Sequence, residues 1–365
     1  MPKRMSSERA FQPDFVSPPG ETVADLLEQA AMTQTELAQR LGVSLKHTNQ
    51  VVKGAASISA ELALGLEKVF GVSADFWLNR ESLYRAEIAR REEARELTSA
   101  LAWAKSFPIN ELRLRGLISS TGEGAELVGD LLRFFGVASP KIWADPVAAY
   151  RKSLRFESDP KALATWLRAG ELEAATIDSE PFDSDRFQEA LQEVRMLTRL
   201  EPSEWQPKLV RICATAGVAV VILDTFHGAR ANGATRWLSP TKALIQMSLR
   251  YRWEDIFWFS FFHEAAHILL HRKKHIFVEG VDASGGQGKD PRSHAWEKEA
   301  DRFAARILIP PEHEVELRRL TLTDIPEFAE RLGIAPGIVV GRLQHERLIP
   351  NHRGNELRHR LAFSD

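Results

Sequence analysis

The stretch from Ile256 to Leu270 is the most apolar in the chain, yet it carries His263, Glu264 and His267 in the spacing His-Glu-x-x-His. On a helix, positions i and i+4 differ by about 40° of rotation, so both imidazoles leave one face with Glu264 beside them. The surrounding residues Phe261, Phe262, Ala265, Ala266, Ile268, Leu269 and Leu270 are apolar all round. Burying two imidazoles and a carboxylate in that company is costly without a partner, and a shared metal ion removes the cost. The fold must therefore bury this helix and bring a further ligand to it. A bilayer span needs roughly 20 apolar residues, so the stretch is too short and too polar to be one.

A single cysteine, Cys213, excludes a disulfide framework and a thiolate cluster, so the metal site must be made of histidine and carboxylate. Catalytic Zn²⁺ takes three protein ligands and keeps one position open. The next helical segment, Ser293 to Ile307, offers Glu297, Glu299 and Asp301. Glu297, Asp301, Ala304 and Leu308 share a face on which small alanines permit close approach, so Glu297 is the best third ligand. Asp301, one turn on, can hold a ligand histidine from behind, and His271 is a further supporting group. Glu299 is the fallback ligand; His275 and His294 are supporting, substrate-side or surface groups. Such a constellation serves water attack on a peptide bond, with Glu264 as the base that passes the proton to the leaving amine. An extended peptide substrate can pair with an exposed edge strand, for which Ala243 to Leu249 is the candidate, with Leu244, Gln246 and Ser248 along it. Tyr251, Arg252, His271 and His294 all remain open as the group that stabilises the oxyanion.

Elsewhere the punctuation is helical. Thr33 followed by Glu36 forms a capping box, Leu37, Ala38 and Leu41 make an apolar stripe, and Gly42 ends it. Ser44 caps the next helix, Leu45 to Lys53, and Gly54 closes it, so the pair has the size and turn of a helix-turn-helix. Residues 80 to 97 alternate charge sign along a helix and predict a solvated connector. Residues 98 to 205 alternate helical patterns with Pro and Gly breakers. After Pro207 the character changes: Val218 to Leu223, Ala234 to Leu238 and Ala243 to Leu249 predict strands.

The 365 residues allow two or three domains. The expected division is a flexible N-terminus (1–18), a helix-turn-helix DNA-binding domain (19–79), a charged connector helix (80–97), a helical spacer or regulatory region (98–205), a zinc metallopeptidase domain (206–349) and a C-terminal tail (350–365). The fold class expected is multidomain and mainly α, with an all-α first domain, a helical middle and an α+β last domain. The start MPKRMSSERAFQPDF lacks the apolar run of a signal peptide, so a cytoplasmic protein without a membrane partner is expected.

FFHEAAHILLH followed by EKEADRFAARILIP resembles the ImmA/IrrE metallopeptidases. The resemblance implies a minimal zincin-like (gluzincin) domain, His263, His267 and Glu297 as zinc ligands, and Glu264 as catalytic base. Residues 18 to 78 resemble the HigA-type branch of the Xre helix-turn-helix proteins. That implies an operator-binding homodimer whose recognition helix, Leu45 to Lys53, presents Ser44, Lys46, His47, Asn49, Gln50 and Lys53 to the major groove. The partners implied are operator DNA and either a protein substrate such as a repressor or a cognate toxin, the peptidase domain in the second case sensing or binding without cutting.

Two features limit the DNA reading. The chain has 48 Lys+Arg against 50 Asp+Glu, so bulk electrostatics do not drive it onto nucleic acid. Glu327 to Leu343 repeats the register of Glu36 to Val52, but its reading face is Pro336, Gly337, Ile338, Val339 and Val340. An apolar face is made for packing, so this copy closes the peptidase domain. The tail, with five Arg from 342 onward, reads as solvated surface.

Overall fold

The computed structural model describes residues 17–143, 158–271, 277–279 and 291–361. The first residues through 16, His275 and the glycine-rich loop 280–288 lie outside them. The chain divides into two compact units, Met1–Ala100 and Leu101–Asp365.

The first unit contains α1 (Pro19–Gln29), α2 (Gln34–Leu41), α3 (Leu45–Val52), α4 (Ala60–Phe70) and α5 (Ala74–Ser99). The Thr33 hydroxyl accepts from the Glu36 amide while Glu36 accepts from the Thr33 amide, and Gly42 takes the left-handed φ of 70° that ends α2. Ser44 accepts from the His47 amide at 3.1 Å and starts α3. Val23, Leu37, Val51, Leu62, Leu66 and Trp77 fill the core. Helix α5 begins six residues before the connector expected at 80–97, and its first turns belong to this core. Trp77 is fully buried with its indole N–H donating to the Val72 carbonyl, and Glu81 is buried beside Arg85. The 79/80 boundary thus falls inside a helix; only the later turns of α5 are solvated.

The second unit opens with α6 (Leu101–Ala104), α7 (Ile109–Leu114) and α8 (Gly124–Phe135), followed by α9 (Pro160–Thr176), α10 (Ser184–Leu197) and α11 (Pro202–Ala214). Strands β1 (Val218–Ile222), β2 (Gly233–Ser239) and β3 (Lys242–Met247) come next, then α12 (Glu254–Leu270), β4 (Phe277–Glu279), α13 (Pro291–Leu308), α14 (Glu314–Leu317), α15 (Ile325–Leu332) and α16 (Pro336–His345). The sheet runs β1-β3-β2-β4, with β1 parallel to β3 and the other neighbours antiparallel.

Strand alternation separates two layers. Val218, Val220, Ala243, Ile245 and Met247 face the main core with α10, α11, α12 and α16. Ala219, Val221 and Leu244 face Ala174 of α9. The expected spacer is therefore not separate from the sheet: α9 covers one face, Trp205 and Leu209 of α11 pack in the other, and the 205/206 boundary cuts through α11.

Strand β3 is interior, which corrects its assignment as the substrate edge. Leu244 and Gln246 point toward α9, where the Gln246 amide donates to the Trp166 carbonyl at 2.7 Å. Ser248 donates to the Ala231 carbonyl at 2.6 Å, and all three are buried. β1 occupies one flank of β3 and the β2 hairpin the other, so no backbone of β3 is left for a peptide.

The repeat at the C-terminus packs as its composition requires. Gly333 ends α15 at φ 69°, and the buried Gly337, Ile338, Val339 and Val340 of α16 lie against α12. The tail is exposed at Arg347, Arg353 and Arg360 as expected, but Arg358 turns inward. Arg358 makes a bidentate pair with Asp255, Nε donating to Oδ1 at 2.9 Å and Nη2 to Oδ2 at 2.8 Å, and the His359 carbonyl accepts from the Glu254 amide at 3.1 Å. The tail thereby satisfies one of the amides that a helix start leaves orphaned.

Candidate functional site

Helix α12 is buried all round, with Phe257, Trp258, Phe261, Phe262, Ala265 and Ala266 each no more than 3% exposed. His263 and His267 are 2% exposed and Glu264 is fully buried. Helix α13 lies along it through the small residues Ala300 and Ala304, both fully buried, and so brings its acidic residues to the histidines.

His263 Nε2 and His267 Nε2 face each other at 3.0 Å, and Glu297 Oε2 is 3.6 Å from His263 Nε2. The ligand atoms of His263, His267 and Glu297 all lie within 4.8 Å of one another. Behind them, Asp301 Oδ1 is 2.9 Å from His263 Nδ1. An ionised carboxylate only accepts, so His263 Nδ1 carries the proton and its Nε2 lone pair points at the cluster. His267 Nδ1 meets His271 Nδ1 at 2.8 Å, and His271 Nε2 meets Glu299 Oε2 at 3.3 Å. Burial pushes the His271 pKa down, against the opposing pull of Glu299.

The donor set suits a metal. Ligand bonds of about 2.0–2.1 Å around a tetrahedral ion place donor atoms about 3.3 Å apart, a value the separations of 3.0 and 3.6 Å bracket. Neutral imidazole nitrogens and a carboxylate are also the ligand types of a three-ligand site.

Strand β2 adds residues that the sequence did not single out. The Thr235 hydroxyl donates to the Glu264 carbonyl at 3.1 Å. Two residues earlier on the same strand face, a Cβ on Gly233 would stand 2.8 Å from Glu264 Cγ. Gly233 therefore makes the space that Glu264 fills. Asn232-Gly233 reads in sequence as a turn dipeptide, and only its alternation with Thr235 hints at a shared face.

Of the groups open for the oxyanion, Tyr251 and Arg252 line a small cleft with Asn232, Ser248 and Ser260 at the N-terminal half of α12, and His294 is exposed at the start of α13. His271 stands behind His267 instead of facing the cluster.

On α3, Thr48 and Val51 are the buried side, and opposite them Lys46, Asn49 and Gln50 point outward with Lys53 at the helix end. Lys46, Gln50 and Lys53 are exposed; His47 and Asn49 are half-buried; the Ser44 hydroxyl is engaged as the helix cap. The structure thus brings Lys46, Asn49, Gln50 and Lys53 onto one polar face and leaves Ser44 and His47 at its margin.

A helix-turn-helix family model matches residues 23–77, and the model of the IrrE N-terminal-like domain of M78 peptidases matches residues 254–344. Virulence-associated protein I of Dichelobacter nodosus is 32% identical over 76 residues, covering 20% of this chain and 70% of that protein. A putative antidote protein of a plasmid maintenance system from Nostoc punctiforme is 30% identical, with a TM-score of 0.22, over 22% of this chain and 88% of its own. The Pseudomonas aeruginosa antitoxin HigA, solved with the higBA promoter, is 30% identical with a TM-score of 0.22, over 22% of this chain and 90% of its own. No helix among the described residues is long and apolar enough to cross a membrane. Through its Xre-type helix-turn-helix the chain belongs to the family of virulence-associated protein I, and behind that domain it carries an IrrE/ImmA-like peptidase domain.

Proposed function

We propose that this protein is a DNA-bound regulator that cleaves a protein partner with a zinc-dependent endopeptidase site. The observation that carries the reading is the convergence of His263, His267 and Glu297 within 4.8 Å, with the buried Glu264 next to them on α12. His263, His267 and Glu297 would hold the zinc. Bound there, zinc supplies a Lewis acid that polarises a peptide carbonyl and acidifies a water. Glu264 takes the proton of the attacking water and delivers it to the leaving amine, a role for which its fixed position between α12 and Gly233 of β2 suits it. Asp301 keeps the His263 ring oriented. With β3 interior, backbone pairing with an extended substrate belongs to β4, a terminal strand of the sheet among the described residues.

Lys46, Asn49, Gln50 and Lys53 form the DNA-reading face, Asn and Gln being suited to adenine edges and Lys to guanine or phosphate. Their small net charge calls for a second copy to reach useful affinity. Phe76 and Leu83, two turns apart on α5 and 43% and 72% exposed, supply an apolar contact for a homodimer.

The test is metal analysis of the purified chain together with Glu264→Gln. The expected result is about one zinc per chain in both, and cleavage of a co-encoded regulator reduced about 100- to 10,000-fold in the variant. Zinc without cleavage of any such partner by the wild type would leave a non-cleaving sensor or toxin-binding domain in place of the enzyme.

A further inference from the structure

We infer that Glu299 is a positioning residue of the metal centre: through His271 it fixes which nitrogen of His267 faces the metal. The inference rests on the zinc-site reading above and assigns work to a carboxylate that lies outside the ligand set.

The geometry forces the proton placement. Glu299 Oε2 lies 3.3 Å from His271 Nε2, and an ionised carboxylate can only accept, so the proton of neutral His271 sits on Nε2. His271 Nδ1 is then an acceptor, so His267 Nδ1, 2.8 Å away, donates to it. With its proton on Nδ1, His267 presents the Nε2 lone pair to His263 Nε2, 3.0 Å away. Asp301 does the same for His263 directly. Two lone pairs held face to face at that distance repel until a cation stands between them. The two carboxylates of α13 thus address the two histidines of α12 by different routes, Asp301 in one step and Glu299 in two.

The arrangement follows from helix geometry. His271 caps the end of α12 four residues after His267, and α13 runs antiparallel beside it, so Asp301 meets His263 while Glu299 reaches the later His271. The Trp296 ring lies 5.4 Å from the His271 ring and confines it from the same helix. Without Glu299, the His271 proton can move to Nδ1. His267 Nδ1 then faces a donor and must give up its own proton, which moves to Nε2 and blocks the metal-facing lone pair. Oriented second partners of this kind commonly change metal affinity 10- to 100-fold.

The test uses the full-length protein and zinc in competition with a chromophoric chelator. Glu299→Ala is expected to weaken zinc binding about tenfold or more. Glu299→Gln, whose amide oxygen still accepts, is expected to recover part of that loss. Because the Glu299 side chain is 57% exposed, the metal-free melting temperatures of both variants should match the wild type, which separates positioning from folding. Nitrogen-15 NMR of the histidine rings should find the metal-free wild-type His271 protonated on Nε2, and a mixture of tautomers in Glu299→Ala. Wild-type zinc affinity in Glu299→Ala, or a wild-type His271 protonated on Nδ1, overturns this inference and leaves the peptidase reading standing. A wild-type chain that binds no zinc overturns both.

Discussion

Glu254 should make the second unit lose stability as the pH rises from 4.5 to about 7. It begins α12, is 5% exposed, and accepts from the His359 amide at 3.0 Å. Burial pushes its pKa from 4.5 up to about 7; Asp255 adds to the rise, while the His359 amide and Arg358 oppose it. The sign follows from proton binding. Between pH 4.5 and 7 the unfolded chain has lost this proton while the folded chain keeps it, so stability falls with rising pH across that window and levels off above it. The shift of about 2.5 pH units, at 1.36 kcal/mol each, is worth about 3 kcal/mol. Glu254→Gln keeps the acceptor for His359 and cannot ionise. Wild type and variant should therefore have similar stability near pH 5, and the variant should be about 3 kcal/mol more stable at pH 8. In a unit of this size that amounts to about 6 °C in melting temperature. Calorimetry of both proteins from pH 5 to 8 measures it. If the two melting temperatures run parallel over the range, the burial account of Glu254 is wrong.

Arg358→Ala leaves Asp255 buried without its bidentate partner and should cost about 3–5 kcal/mol in denaturant unfolding; a loss below about 1 kcal/mol would show that the tail does not hold α12. Gly233→Ala places a Cβ against Glu264 and should cost about 1–3 kcal/mol while lowering cleavage at unchanged zinc content; normal cleavage would separate β2 from the action of Glu264. Lys46→Ala should reduce the salt dependence of DNA binding by about one ion, whereas Gln50→Ala should cost about 1–3 kcal/mol on the operator alone; equal losses on unrelated DNA would move base reading off α3. Leu83→Lys should turn a dimer into a monomer in sedimentation, and an unchanged dimer would place the contact elsewhere than α5.

What could be read from the sequence depended on how far apart in the chain the cooperating groups lie. The capping box at Thr33 and Glu36, the Gly42 turn and the Ser44 cap are interactions over three or four residues, and the structure places them where the spacing does. The alignment of His263 with His267 is equally local. Glu297 and Asp301 required one further step, that α13 folds back on α12, and the alanines at 300 and 304 supplied its reason. The β3 assignment failed because strand order is not local. Alternation in Ala243 to Leu249 reveals a strand, but the crossover that sets β1 beside it and the helix α9 that covers Gln246 come from residues 25 to 80 positions earlier. Arg358 was missed for the same reason: it meets Asp255 across 103 residues, and no charge count separates that arginine from the exposed ones of the tail.

The tail contact also bears on how the histidines can be held at all. A helix buried on every side has no solvent to satisfy its first amides and no charged face to fix its rotation. In α12 these tasks fall to the ends and to the side chains of other segments. At the start, Arg358 clamps Asp255, and His359 exchanges two hydrogen bonds with Glu254, through the close approach that Gly337 and Gly341 of α16 permit. In the middle, Thr235 ties the Glu264 carbonyl to β2. Beside it Asp301 reaches His263, and at the far end Glu299 reaches His271. Each contact fixes the rotation of α12 about its axis, and with a 3.6-residue period a rotation of one residue, about 100°, would turn both imidazoles away from Glu297. The apolar surround alone, nearly uniform around the helix, could not make that choice; the few polar contacts make it.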